Sequence, residues 1–160
     1  MNKVVILGRG GAGKSNLAAR LGAAIALPVV ELDKHFWPPD LTPLPEDQWT
    51  QIQRRLVTEP AWILDGDLGP YDALDVRLQA ADTIIVLDFP LWRCAWRALR
   101  RSRENMAFWR WVIGYRRHSL PLIMVAIANR ARHADTYILK TPHEVENLLA
   151  RVEYGHDRTS

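Results

Sequence analysis

The chain has 160 residues, 48% hydrophobic and 24% charged, which excludes a disordered or collagen-like chain and allows one sizeable core. A single cysteine, Cys94, excludes an internal disulfide and a cysteine-based zinc site, and no apolar run reaches the ~18 residues of a spanning helix. The net charge of +3 is uneven: eight arginines lie from Arg93 to Arg117, opposed there only by Glu104, so a polyanionic ligand is expected, either nucleotide phosphates or nucleic acid.

In chain order, the first residues enter a core strand directly, with no signal peptide, and a soluble cytoplasmic protein is the expectation. That strand, Val4 to Leu7, is β-branched and apolar. It runs into Gly8-Arg9-Gly10-Gly11-Ala12-Gly13-Lys14-Ser15, followed by a helical pattern from Asn16 to Ala26 with Leu17, Leu21 and Ile25 on one face. This is the phosphate-binding G-x-x-x-x-G-K-[ST] loop in its strand–loop–helix context. Gly8, Gly10, Gly11 and Gly13 permit backbone angles and close approach that a Cβ would block. The N–H groups from Gly8 through Asn16, Ala12 among them, converge on phosphate oxygens at the positive end of the helix. Lys14 is expected on the β/γ-phosphates of ATP and Ser15 on Mg²⁺.

Pro28 closes the first helix, and Val29 to Asp33 reads as a second strand ending in a carboxylate. Phe36 to Pro45 carries four prolines and is expected to be a loop. Pro45 to Thr58 reads as a helix with Trp49, Ile52 and Leu56 along one side. Ala61 to Asp65 is a third strand running into Gly66-Asp67, Ala73 to Ala80 a short helix, and Thr83 to Asp88 a fourth strand stopped by Phe89-Pro90. Leu91 to Arg103 is helical, with Trp92, Trp96 and Leu99 on the face expected in the core and Cys94 a small apolar residue. Met106 to Tyr115 is aromatic-rich, Ser119 is a candidate cap for a helix to about Ala131, Thr136 to Leu139 a fifth strand, and Pro142 to Val152 the last helix. Apolar strands alternating with helices predict a parallel sheet covered on both faces. Residues 1–153 are expected to form one domain, with an arginine-rich lid region at about 93–118 and a polar, frayed tail at 154–160.

Ligands bind beyond the carboxyl ends of such strands. Asp65, before glycine, has the form of a carboxylate that holds Mg²⁺ or its water ligands, against a plain turn role. Asp33 is read as orienting or deprotonating an acceptor hydroxyl or joining the metal shell, against the same turn role. Asp88 is either a ligand contact or a strand terminator. Arg97, Arg100 and Arg101 lie where they would neutralise a transferred phosphoryl group, and two or three of the eight arginines are expected to touch phosphate.

The segments ILGRGGAGKSNLAARLG, LPVVELDKHFWPP, AWILDGD, LDVRLQAADTIIVLDFPLWRCAWR and YILKTPHEVENLL together resemble the adenylate-kinase-like P-loop proteins known as DNA topology modulation proteins of the FlaR type. The resemblance implies a P-loop NTPase three-layer sandwich, nucleoside-monophosphate-kinase-like, with five parallel strands in the order 2-3-1-4-5 and kinase activity on a small acceptor, plausibly a nucleoside or nucleotide. It puts Asp33 and Asp65 on the acceptor side, with Arg77 contacting the acceptor. The family reads Asp-Gly-Asn-Tyr where this chain has Asp65-Gly66-Asp67-Leu68, so Asp67 adds a carboxylate that would repel an anionic acceptor. The family's lid is longer than the stretch from Arg103 to Phe108, and a shorter lid excludes water less completely. Two other readings stand beside the kinase: a regulatory nucleotide-binding module that hydrolyses ATP slowly, and a nucleic-acid-binding protein using the arginine and tryptophan region. No membrane partner is expected.

Overall fold

The computed structural model describes residues 1–36, 44–67, 73–101 and 106–157. Five strands, β1 (Lys3–Gly8), β2 (Val29–Glu31), β3 (Trp62–Asp65), β4 (Thr83–Leu87) and β5 (Asp135–Leu139), form one sheet in the order β2-β3-β1-β4-β5, and every pairing is parallel. This is the expected strand order. The three central strands read as unbroken apolar runs because both of their faces are covered.

The covering elements are α1 (Lys14–Ile25), α2 (Leu32–Phe36), α3 (Glu46–Leu56), α4 (Leu74–Ala80), α5 (Leu91–Arg101), α6 (Met106–Arg130) and α7 (Pro142–Asp157). Strand residues alternate between two cores. Val5, Leu7, Leu64, Ile84 and Val86 meet Phe36, Trp49, Leu78, Tyr115, Ile123 and Ile127 on one face. Val4, Ile6, Ile63, Ile85 and Leu87 meet Leu17, Leu21, Cys94, Leu148 and Leu149 on the other. Each fully buried Leu or Ile is worth roughly 1.5–3 kcal/mol of transfer free energy, and this two-sided burial fixes the carboxyl ends of β1, β3 and β4 as one rigid edge.

Several sequence expectations need correction. β2 stops at Glu31, and Asp33 lies in the first turn of α2 rather than at a strand end; buried Leu32 and Phe36 give the chain an i, i+4 apolar pair that favours a helical turn there. Ser119 caps nothing, because α6 runs unbroken through it and through Pro121. A proline inside a helix costs about 3 kcal/mol. Tyr115, Ile123 and Ile127, buried on one stripe to both sides of Pro121, hold the two halves on the core and offset that cost. α7 continues to Asp157, past the start of the expected frayed tail.

The largest correction concerns α5. Trp92 and Trp96 are 72% and 62% exposed and Leu99 is 68% exposed, whereas Cys94 and Ala98 are buried. The helix turns its small face inward because a glycine loop lies beneath it. The proline-rich residues 37–43, Leu68, the lid residues 102–105 and the tail residues 158–160 lie outside the described residues, as does the side chain of Arg101.

Candidate active site at the phosphate loop

Residues 9–13 leave the end of β1 and turn back to start α1. Gly13 is the N-cap, at φ 96°, and offers no side chain to cap the helix, so the orphan N–H groups of the first turn and the positive end of the helix face outward. At Gly11, φ is 79°, and a Cβ would collide with the Cys94 carbonyl oxygen and lie 3.3 Å from the Ala98 nitrogen. The loop and α5 thus touch backbone to backbone, which only the small face of α5 permits. At Gly10 a Cβ would lie 2.5 Å from the Phe108 ring and 3.2 Å from Val112, so the first turns of α6 close over the loop as well.

Lys14 Nζ donates to the carbonyls of Gly8 (2.9 Å) and Arg9 (3.5 Å), lying across the mouth of the loop. Gly11, Gly13, Ser15, Asn16 and Arg97 line a pocket of about 190 Å³. Arg97 of α5 is the one arginine among the described residues that lines it; its Nη1 lies 3.0 Å from the position a Gly13 Cβ would take. Other members of the arginine-rich stretch are engaged elsewhere. Arg93 lies over Phe89, Arg100 over Trp96, and Arg116 holds Asp88 through Nε and Nη2, both at 2.8 Å. Asp88, 6% exposed, is therefore an anchor for α6. Cys94 is buried, and burial pushes its thiol up from the ordinary value, consistent with an inert apolar role.

The other half of the edge belongs to β3 and its turn. Asp65 ends β3 in register with Ile6 of β1 and Glu31 of β2 and is 4% exposed. Gly66 follows at φ 151°, where a Cβ would meet Leu32 at 2.9 Å. Arg77, wholly buried in α4, donates from Nη1 to the Gly66 carbonyl at 2.9 Å and so braces the turn. Asp67 accepts a 2.9 Å hydrogen bond from the Tyr115 hydroxyl of α6. Asp33 is exposed at the same edge.

Magnesium would fit this set: Ser15 offers a hydroxyl at the pocket and Asp65 a carboxylate at the neighbouring strand end, both the hard oxygen donors Mg²⁺ takes. Among the described residues no group of three or more His, Cys, Asp or Glu could hold a metal, and a Mg²⁺ that keeps waters and phosphate oxygens needs none. Two contacts escaped the sequence reading, Arg9 beside Tyr115 and Tyr115 on Asp67. Their signal was the spacing of Phe108, Val112 and Tyr115, an i, i+4, i+7 stripe that faces the loop.

No protein-family model and no curated protein matches the chain. Solved structures do. A shikimate kinase from Acinetobacter baumannii in complex with shikimate aligns with TM-score 0.67 at 14% identity, over 95% of this chain and 90% of that one. A gluconokinase from Sinorhizobium meliloti 1021 aligns with TM-score 0.58 at 18% identity, over 99% and 93%, and a shikimate kinase from Bacteroides thetaiotaomicron with 0.61 at 12%, over 96% and 97%. At these identities the likeness is one of fold, and the fold is that of P-loop kinases. No helix among the described residues is long and apolar enough to cross a membrane.

Proposed function

We propose that the chain is an ATP-dependent phosphotransferase that moves the γ-phosphoryl group to a small acceptor, acting as one domain over residues 1–153 in the cytoplasm. The observation that carries this reading is the meeting of an uncapped helix N-terminus, Ser15 and Arg97 around one pocket, on a loop whose own carbonyls hold Lys14. Lys14 exchanges the Gly8 and Arg9 carbonyls for β/γ-phosphate oxygens, and the first-turn N–H groups of α1 take the rest. Arg97 comes from a different element and supplies positive charge where the transferred group becomes more exposed. Arg101, one turn on, is proposed to assist it. Ser15 and Asp65 hold Mg²⁺, directly or through water; when bound, the ion neutralises phosphate charge. Asp33 and Asp67 face the acceptor, and Asp33 orients its hydroxyl. The resemblance to the FlaR-type proteins favours a nucleoside or nucleotide acceptor.

The test is Lys14→Ala, expected to abolish ATP turnover, together with a screen of acceptors against labelled ATP. Retained turnover in Lys14→Ala overturns the assignment. Slow hydrolysis with no acceptor phosphorylated favours the regulatory module.

A second reading gains from the exposure of Trp92 and Trp96 beside Arg97 and Arg100: aromatic faces with adjacent guanidiniums suit single-stranded nucleic acid. Its mark is an affinity for oligonucleotides that falls steeply with salt and weakens in Trp96→Ala. Absent or salt-independent binding removes it.

A further inference from the structure

Arg9 is the second residue of the phosphate loop and is not among the residues that line the pocket of Ser15, Asn16 and Arg97. Its guanidinium carbon lies 5.6 Å from the centre of the Tyr115 ring, whose hydroxyl is bonded to Asp67. Arg9 is 1% exposed, and among the described residues its Nε and Nη1 have no hydrogen-bond partner. Of the carboxylates near Tyr115, Asp67 accepts from the Tyr115 hydroxyl through Oδ2 and Asp88 accepts from both arms of Arg116. Arginine keeps its proton in any protein environment. A stacking contact with one aromatic ring is weak beside the desolvation of a buried cation. A guanidinium held this way keeps two unmade donors, Nε on one edge and Nη1 on another, each able to give a charge-assisted hydrogen bond to an oxygen of an anion.

We infer that Arg9 is an anion subsite on the acceptor side of the phosphate loop, binding the carboxylate or phosphate group of the acceptor. That the anion belongs to an acceptor rests on the kinase reading; that Arg9 binds an anion does not. The side follows from the sheet order. β3 lies on one flank of β1, and the Arg9 neighbour Tyr115 is tied to Asp67, which follows β3, whereas Arg97 and Ser15 cluster where α1 begins. The subsite also answers the repulsion expected from Asp67, since Arg9 and the buried Arg77 place two cations at the turn that carries it.

The first experimental arm needs no turnover. Thermal unfolding of the full-length Lys14→Ala chain, whose donor site is disabled, is followed with inorganic phosphate and separately with acetate. At least one anion is expected to raise its Tm, with half-maximal effect shifted about tenfold or more upward in Lys14→Ala/Arg9→Gln, as for loss of a charged hydrogen bond. No response in Lys14→Ala, or an equal response in the double variant, overturns the subsite. If the Arg9→Gln chain does not fold, Lys14→Ala/Arg9→Lys decides: it keeps the charge without the planar fork, and an unchanged midpoint overturns the proposal. The second arm compares nucleoside monophosphates with nucleosides, and sugar acids with sugars, as acceptors. Arg9→Lys is expected to raise KM about tenfold for the anionic member of the responding pair while KM for ATP holds, and which pair responds separates phosphate from carboxylate. A fall in kcat shared by charged and neutral acceptors overturns the acceptor role. Transfer to no acceptor defeats the kinase reading, and the anion titration still decides Arg9.

Discussion

The Tyr115 hydroxyl donates to Asp67 Oδ2 at 2.9 Å, so a residue in the middle of α6 is bonded to the turn after β3, on the edge where the phosphate loop begins. The contact spans 48 residues of sequence and has company one position on, where Arg116 grips Asp88 beyond β4. α6 is thereby fastened to strand ends on both sides of β1, and Phe108 and Val112 are pressed against Gly10 between them.

Alkaline pH tests the first fastening. Burial, then the charge and hydrogen bond of Asp67, push the Tyr115 phenol well above its ordinary value of 10.0. The folded state therefore prefers the protonated phenol. The stability this adds is fully present below the ordinary value, where both states are protonated, and is lost as pH rises beyond it because only the unfolded chain ionises. Melting temperatures measured from about pH 9 to 11.5 should fall more steeply for the native chain than for Tyr115→Phe, since the chain's other three tyrosines contribute to both. Parallel curves would show that Tyr115 ionises as easily folded as unfolded.

The Gly10–Phe108 contact gives a second expectation. Gly10→Ala forces a methyl group to within 2.5 Å of the Phe108 ring, and overpacking of this kind costs roughly 1–3 kcal/mol. Phe108→Ala alone loses packing, but the double variant should recover part of the Gly10→Ala loss, giving a coupling of roughly 0.5–3 kcal/mol in denaturant unfolding. Strictly additive losses would mean that α6 does not rest on the loop.

How much of this was legible in the sequence depends on what each residue had to satisfy. β1, β3 and β4 declared themselves because a strand buried on both faces must be apolar throughout, and the phosphate loop because its glycines meet backbone directly. The face of α5 misled because Trp92, Trp96 and Leu99 make the more hydrophobic stripe, whereas the criterion that decided was size: Gly11 sits against the backbone at Cys94 and Ala98, and a tryptophan there would hold the helix off. Ser119 looked like a cap because its residue type favours a helix start, and that sign does not register that Tyr115 and Ile127 are buried to either side of it. Arg77 and Arg9 illustrate a further limit. Charge in a sequence reads as surface, and only the fold reveals that α4 and α6 bury these two guanidiniums beneath the turn and the loop.

Asp82 supplies an expectation remote from the site. Its Oδ2 accepts the N–H groups of Asn2 (2.7 Å) and Lys3 (3.0 Å), and its Oδ1 accepts from Thr83 Oγ1 (2.7 Å). Burial opposes the charged form most strongly of any single influence, but these hydrogen bonds together prevail and lower its pKa below the ordinary 3.8. The stability gained is present above that value and lost as pH falls through the folded one. Asp82→Ala should cost about 1–3 kcal/mol at neutral pH by denaturant unfolding, with the difference from the native chain shrinking below about pH 4. An equal difference at both pH values would mean that the carboxylate's charge is irrelevant to this clasp.

Arg97 is the sharpest test of the donor site because its surroundings separate chemistry from folding. The side chain is exposed, so Arg97→Ala should change stability no more than ordinary surface substitutions do, about 0.5 kcal/mol. If the guanidinium acts on the phosphoryl group as charge redistributes during transfer, its loss removes an interaction stronger in the transition state than in the bound ATP complex. The expected signature is a fall in kcat of about a hundredfold or more with KM for ATP little changed. Arg97→Lys keeps the charge but not the fork and should recover only part of the rate. A rise in KM at constant kcat would instead make Arg97 a uniform binder of the triphosphate, and would leave the first-turn N–H groups of α1 and Lys14 to carry the transfer step without it.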